Sequence, residues 1–387
     1  RLGLGALAKA WRASHAIPLA LVTGSNGKTT VKEMIASIFK AAAGEANTLV
    51  TKGNLNNEIG LPLTLLKLRS TDALAVVELG MNHPGETAQL ASIAQANIAL
   101  INNAQREHQE FMETVAAVAE EHADVIRSLP KNGIAVFPAD SEFSGVWNLA
   151  AEGRKVIDFA LTSTQQNSGA AVSGHQLSNG CVQINIGAHS IEVQLNTLGA
   201  HNIRNALAAS AVALAAGISL EKIKQGLEAF APVNGRMQVK YSDSKHTLID
   251  DSYNANPDSV RAAIDALKQS VGSSWLVLGD MGEVGNQGPE FHREVGAYAA
   301  EQGVTKLFAL GDQSMYAVNG FNSARAAAGA GANHFTSIES LLSKLNEDLR
   351  SYLSGGNQHL NILVKGSRFM RMERVVQALL EEAKTCS

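Results

Sequence analysis

The chain has 387 residues, 45% hydrophobic and 18% charged, enough for two or three domains with sizeable cores. A net charge of −4 gives no general polyanion-binding surface, so nucleic acid is not an expected partner. Two distant cysteines, Cys181 and Cys386, form neither a disulfide framework nor a zinc spacing and fit a reducing, cytoplasmic setting, and no apolar run nears the length of a membrane span.

Residues 1–15 carry Leu2, Leu4, Leu7 and Trp11 at helical spacing, and predict a helix at the end of a linker. The stretch 19–32, LALVTGSNGKTTVK, follows. Its apolar start reads as a buried strand, residues 23–27 as a tight turn, and residues 31–42 as an amphipathic helix. Strand, glycine turn and helix with Gly-Lys-Thr at its start form a phosphate-cradling loop. Gly24, Ser25, Asn26 and Gly27 can turn backbone N–H groups toward an anion at a helix N-terminus, with Thr30 in the first turn. Lys28 can reach the β- and γ-phosphates and Thr29 can ligate Mg²⁺. The spacing is shorter than G-x-x-x-x-G-K-[ST], since Val22 stands where the first glycine belongs. The competing reading is a glycine turn with an exposed lysine.

Strands at 73–79, 98–102 and 133–137 then alternate with helices at 86–94 and 115–128, the rhythm of a mainly parallel sheet. Within this region KGNLNNEIG brings Asn54, Asn56 and Asn57 close together, either over a substrate or simply in an amide-stabilised turn. Glu78 ends a buried strand, where it either holds Mg²⁺ or sits at the surface. His108 follows the 98–102 strand and can ligate a metal. His122 lies among Glu120, Glu121 and Asp124 and by itself looks like a solvated helical residue. Residues 154–197 predict short antiparallel hairpins at the edge of the first sheet.

Helices at 201–217 and 219–230 follow, the second capped by Ser219. Asn202 and Asn205 either pair with an adenine edge or, for Asn202, cap the helix. VNGR at 233–236 marks a domain boundary, after which a second α/β series begins. Its strands are expected at 247–250, 274–279, 306–310 and 360–364, and its helices at 257–269, 289–302, 338–350 and 370–384. This is a smaller, dinucleotide-fold-like sheet. DDSYNANP places Asp251, Tyr253, Asn254 and Asn256 after a strand, suited to ribose, phosphate or amine contacts, with helix capping by Asn256 as the plainer role. Lys365, Ser367 and Arg368 of KGSR suit a carboxylate.

Together TGSNGKTTVKEM, GNLNNEIGLPLTLL, VVELGMNHPGE, GAHNIRNALAA, NGRM, DDSYNANPDS, LGDMGEVG and VKGSR resemble the Mur ligases, the ATP-dependent amide-forming enzymes of peptidoglycan synthesis. NLNNEIG, DDSYNANP and GDMxExG look like the D-alanyl-D-alanine-adding branch. The resemblance implies a three-domain protein, of which this chain matches the central ATPase (16–233) and the C-terminal Rossmann-like domain (234–387). Residues 1–15 would then be the end of the linker from a first, UDP-sugar-binding domain. It further implies a cytoplasmic monomer using ATP and two Mg²⁺. The carboxylate of UDP-N-acetylmuramoyl-tripeptide would be phosphorylated and the acyl phosphate attacked by D-Ala-D-Ala.

By the same resemblance, Lys28 is the phosphate-loop lysine, Thr29 and Glu78 the magnesium residues, and His108 the histidine at the second magnesium. Asn202 and Asn205 lie at the adenine, Arg236 reaches the phosphates, and Asp251 meets the ribose. Most of the family carries a carbamate-modified lysine at the position of His122, holding the second metal. A histidine forms no stable carbamate. His122 is therefore expected either to ligate that metal as neutral imidazole or to leave it to His108 and water. A single-amino-acid-adding Mur ligase, a folylpolyglutamate synthetase-like ligase, a P-loop ATPase driving conformational change and a non-catalytic nucleotide module are the alternatives.

Overall fold

A computed structural model describes residues 1–107, 109–163, 169–325, 331–355 and 358–385. The chain divides into two compact units, the first comprising Arg1–Glu107, Phe111–Asn196 and His201–Ala231, the second built on the chain from Pro232 onward.

In chain order up to Ala231 the elements are α1 (Leu2–Ala13), β1 (Leu19–Thr23), α2 (Lys28–Ala43), β2 (Thr48–Val50), α3 (Gly60–Leu65), β3 (Leu74–Glu78), α4 (Glu86–Ala94), β4 (Ile98–Ile101), the single turn α5 (Gln109–Met112), α6 (Val115–Arg127), β5 (Ile134–Val136), α7 (Ser144–Ala151), β6 (Lys155–Val156), β7 (Phe159–Leu161), β8 (Val172–Gln176), β9 (Val182–Ile186), β10 (His189–Val193), α8 (Ala200–Ala215) and α9 (Leu220–Ala229). Strands β1 to β6 form a parallel sheet in the order β2-β3-β1-β4-β5-β6. All five residues of β1 are buried, as a strand covered on both faces requires. Ala20 and Val22 pack with Val31, Met34, Ile35 and Ile38 of α2, while Leu19 and Leu21 face a core shared with α4 and α6. Each fully buried aliphatic side chain of that kind stabilises by roughly 1.5–3 kcal/mol.

The chain leaves β1 toward β3 and returns to its other side as β4, so the carboxyl ends of β1, β3 and β4 adjoin. The register pairs Val22 with Glu78 and Thr23 with Ile101. This is the switch point where open parallel sheets bind ligands. Helix α1 packs on α3 and α4, with buried Arg12 donating to Asn97 Oδ1 at 3.0 Å.

The hairpin region differs from its sequence reading. Only β6 joins the parallel sheet. Strands β7 to β10 form a separate four-stranded sheet in which β7 and β8 are parallel and β8, β9 and β10 antiparallel. An isolated bridge between Pro138 and Phe159 joins the two. The inward residues Val182, Ile184 and Ile186 are drawn onto α8 through the core that also holds Leu207 and Val212, which pulls these strands off the sheet edge.

The second unit contains β11 (Gln238–Ser242), β12 (His246–Asp251), α10 (Pro257–Lys268), β13 (Ser273–Gly279), α11 (Gly288–Glu301), β14 (Lys306–Leu310), α12 (Ser314–Ala324), β15 (Ala332–Phe335), α13 (Ile338–Ser354), β16 (Leu360–Lys365) and α14 (Glu373–Thr385). Its sheet runs β11-β12-β16-β13-β14-β15, parallel except for the edge strand β11. It has six strands, as many as the first parallel sheet, because β11 and β15 extend the four expected. Asp251 lies in register with Lys365, and Lys365 with Leu278, so the loops DDSYNANP, KGSR and LGDM leave one edge together.

Candidate active site

In the first unit the turn after β1 is pinned from below by the segment following β4. Ser25 N–H donates to Asn103 O, and Asn26 exchanges hydrogen bonds with the Asn103 side chain at 2.8 and 2.9 Å. Asn26 Nδ2 donates to Gln105 Oε1 at 2.7 Å, and Gln105 N–H donates to Ser25 Oγ at 2.8 Å. Gly24 and Gly27 have φ of +134° and +79°. A Cβ on Gly27 would stand 2.6 Å from Asn205 Oδ1 and 2.8 Å from Asn102 Nδ2, so glycine is required there twice over. Gly27 caps α2, whose first turn contains Lys28, Thr29 and Thr30. The N–H groups of such a turn lack intrahelical acceptors and attract anions.

Asn202 does not cap a helix: α8 starts at Ala200, which puts Asn202 inside its first turn. Asn102 Nδ2 donates to Asn205 Oδ1 at 2.9 Å, and Asn205 Nδ2 to Asn202 Oδ1 at 3.0 Å. This buried amide chain ties α8 to the floor of the turn.

Glu78 is buried at the end of β3. Its Oε1 accepts from Asn56 Nδ2 at 2.8 Å and from Thr29 Oγ1 at 3.4 Å, and its N–H donates to Thr51 Oγ1 at 2.9 Å. Its Oε2 is buried with no hydrogen-bond partner. A buried carboxylate oxygen is costly in that state and suits a hard cation with oxygen ligands. Thr29 and Glu78 therefore fit Mg²⁺. Of the neighbouring asparagines, Asn57 Oδ1 accepts from Ile59 and Gly60 N–H and so ties the turn that leads into α3, while Asn54 is exposed.

His108 lies outside the described residues. His122 is not solvated. It is completely buried, with Nδ1 3.3 Å from Thr23 Oγ1 and Nε2 3.1 Å from Glu107 Oε1. Helix α6 turns it inward on the same face as Val118, Ala119, Val125 and Ile126. Both ring nitrogens are thus engaged by protein groups, and among the described residues no group of three or more His, Cys, Asp or Glu side chains surrounds a metal position. Glu107 also meets Lys28, whose Nζ donates to Gly24 O at 2.5 Å, Ser25 O at 3.2 Å and Glu107 Oε2 at 3.2 Å.

In the second unit, Asp251 Oδ2 accepts from Lys365 Nζ at 2.5 Å and Oδ1 from Met237 N–H at 3.0 Å. Lys365 also donates to Asn254 O at 2.9 Å, so its charge is compensated inside the unit. Ser367 Oγ donates to Ala255 O at 2.9 Å and accepts from Gly282 N–H at 2.7 Å. Asn256 caps α10 through a reciprocal pair with Ser259. The Arg236 guanidinium stacks 4.1 Å from the Tyr253 ring centre, with Arg368 at 5.8 Å from the same ring. Arg368 is largely exposed and pairs with Glu373 at 2.9 Å.

Residues 22–213 match the Mur ligase middle domain and residues 235–368 the Mur ligase glutamate ligase domain. The chain is 38% identical, over its whole length and 82% of the relative, to the UDP-N-acetylmuramoyl-tripeptide–D-alanyl-D-alanine ligase of Escherichia coli. The chain belongs to the Mur ligase family. The Bacillus subtilis enzyme of the same name is 30% identical to this Mur ligase, across 97% of the chain and 78% of the relative. A crystal structure of MurF from Acinetobacter baumannii superposes with a TM-score of 0.88 at 33% identity, covering 98% of this chain and 80% of that one. As a Mur ligase the chain is an ATP-dependent ligase, which agrees with the α/β architecture and the glycine turn at the N-terminus of α2 in its first unit.

Proposed function

We propose that this Mur ligase joins D-alanyl-D-alanine to the tripeptide carboxylate of UDP-N-acetylmuramoyl-tripeptide at the expense of ATP. The names of its relatives support the substrates. The observation that carries the chemistry is the convergence of Thr29 and the buried Glu78 carboxylate, one oxygen unpartnered, at the N-terminus of α2.

A carboxylate is a poor electrophile, so the reaction runs in two displacements. A tripeptide carboxylate oxygen attacks the γ-phosphorus and ADP leaves. The amine of D-Ala-D-Ala then adds to the acyl phosphate, loses its proton, and expels inorganic phosphate. The first transition state spreads negative charge over phosphoryl oxygens and the second places it on the former carbonyl oxygen beside the phosphate; fixed donors stabilise both without reorganising. Here those donors are Lys28 and the N–H groups of Gly27 to Thr30, since the N–H groups of Ser25 and Asn26 are taken by Asn103. Thr29 and Glu78 would hold one Mg²⁺ and His108 a second. Such ions supply Lewis-acid stabilisation of phosphoryl charge. Arg236 is assigned to the phosphates, Asp251, Asn202 and Asn205 to the nucleoside side, and Tyr253, Asn254 and Arg368 to the acceptor peptide. The domains are taken as 16–233 and 234–387. No helix among the described residues is long and apolar enough to cross a membrane. A cytoplasmic reaction carried out by a monomer is part of the same reading.

The test is phosphate release from ATP and UDP-N-acetylmuramoyl-tripeptide with D-Ala-D-Ala, L-lysine, meso-diaminopimelate or glutamate offered in turn. D-Ala-D-Ala alone should support turnover, and Lys28→Ala should lower it at least about 100-fold. Turnover with a single amino acid would move the protein to another branch. Release that ignores the acceptor would make it an ATPase.

A further inference from the structure

Glu107 has no part in the reaction as described above, yet its side chain is 6% exposed and meets the phosphate turn. Its two oxygens face different partners, Lys28 Nζ at 3.2 Å and His122 Nε2 at 3.1 Å. A carboxylate paired with the Lys28 ammonium offers Nε2 of His122 an acceptor, which suits the tautomer that donates from Nε2. Thr23 Oγ1, on the last residue of β1, fixes the other side of the ring. The line Lys28–Glu107–His122–Thr23 therefore runs from the mouth of the turn back into the sheet.

An ammonium has three donors, and Lys28 spends them on two neutral carbonyls of its own turn and on Glu107. A phosphate entering the turn must take one of these places. Glu107 is the charged acceptor of the three, and it is a like charge to the phosphate. The carboxylate thus has two opposed effects. It keeps the lysine drawn into the turn, and it competes with the phosphates for that lysine.

We infer that Glu107, braced by His122, is a positioning residue that presents Lys28 to the nucleotide and weakens nucleotide binding in doing so. The inference rests on Lys28 being a phosphate ligand. Removing the charge while keeping the shape should therefore split affinity from rate. Glu107→Gln should bind ADP about fivefold to tenfold more tightly by calorimetry, because a repulsive charge has gone. The same variant should turn over at least about tenfold more slowly, because Lys28 is no longer held by a charge-assisted bond. His122→Ala should shift both quantities in the same directions by less. His122→Gln, whose amide can still donate to Glu107, should move both back toward wild type.

A merely structural Glu107 would lower the melting temperature and weaken ADP binding together with turnover. Unchanged or weaker ADP binding in Glu107→Gln, or an unchanged kcat, overturns the inference. Should Glu107→Gln fail to fold, the two His122 variants decide it by the same signs. Lys28→Ala separates the levels: if ADP affinity survives it, the phosphate-loop reading falls, and Glu107 with it. If ADP affinity is lost there and Glu107→Gln shows no split, only the present inference falls.

Discussion

Asn56 Nδ2 donates to Glu78 Oε1 across 2.8 Å, which aims the other carboxylate oxygen into a buried position without a partner. The amide would act on a cation held at Glu78 through the carboxylate, by fixing its rotamer. Outer partners of this sort typically contribute 10- to 100-fold to metal affinity. Asn56→Ala should therefore raise the magnesium concentration for half-maximal activity about tenfold, with a smaller change at saturating magnesium. A magnesium titration of the variant checks this. An unchanged midpoint would mean that Glu78 needs no such brace.

His122 takes the position that the family resemblance gives to a modified lysine, and both of its nitrogens are hydrogen-bonded, to Thr23 and Glu107. An imidazole so committed has no lone pair left for a metal unless that arrangement breaks. It also has no amine to take up carbon dioxide. Activity of the wild type should be flat across a bicarbonate titration, and His122→Ala should not be rescued by bicarbonate. Stimulation in either protein would show that a carbamate forms elsewhere in the site.

Much of this site is legible because its parts are local. The apolar run 19–22, the glycines and Lys28-Thr29 predict strand, turn and helix from adjacent residues alone. Glu78 is readable as a strand end. Asn102, Asn103, Gln105 and Glu107 are not, since each reaches the turn from the segment after β4, across at least 76 positions of sequence. The burial of His122 is carried by a helical period, since positions 118, 119, 122, 125 and 126 follow one face, but its acidic neighbours hide that period. Helix α12 is obscured for a different reason. Its Gly320 weakens the helical pattern, yet a Cβ there would lie 2.1 Å from Arg293 O, while one on Gly296 of α11 would lie 1.9 Å from Ala317 O. The two helices approach backbone to backbone, and only the tertiary contact explains the residue.

The second unit should lose stability in mild acid through two histidines. His292 is wholly buried, and burial pushes its pKa down, outweighing the bond to Gly288 O and the charge of Asp280, which raise it. Its Nε2 accepts from Met281 N–H at 2.9 Å, a bond that protonation would destroy. Burial likewise lowers His246. A histidine with a depressed folded pKa takes up its proton more readily when unfolded. Its contribution is complete above the unfolded value of about 6.5 and is lost as pH falls from there through the folded value. Calorimetric scans between pH 7.5 and 5.5 should show the second unit melting progressively lower, with a shallower slope in His292→Gln. Equal slopes would assign the acid sensitivity to other groups.

Lys365 and Asp251 form a buried pair at 2.5 Å, and Asp251 also accepts from the N–H of Met237, a non-glycine residue held at φ +49°. The pair therefore fixes the strained end of the turn that carries Arg236, besides any contact with ligands. Removing one partner leaves an uncompensated buried charge, which costs about 3–5 kcal/mol, whereas removing both charges can be nearly neutral. Lys365→Met should destabilise the second unit by about 3 kcal/mol in urea unfolding. Adding Asp251→Asn should recover most of that stability but not the activity, because the amide holds the Met237 turn less firmly and Arg236 loses its fixed seat against Tyr253. If Lys365→Met instead keeps full stability and raises only the KM for the acceptor dipeptide, the lysine is a substrate residue and its pairing with Asp251 yields when the acceptor binds.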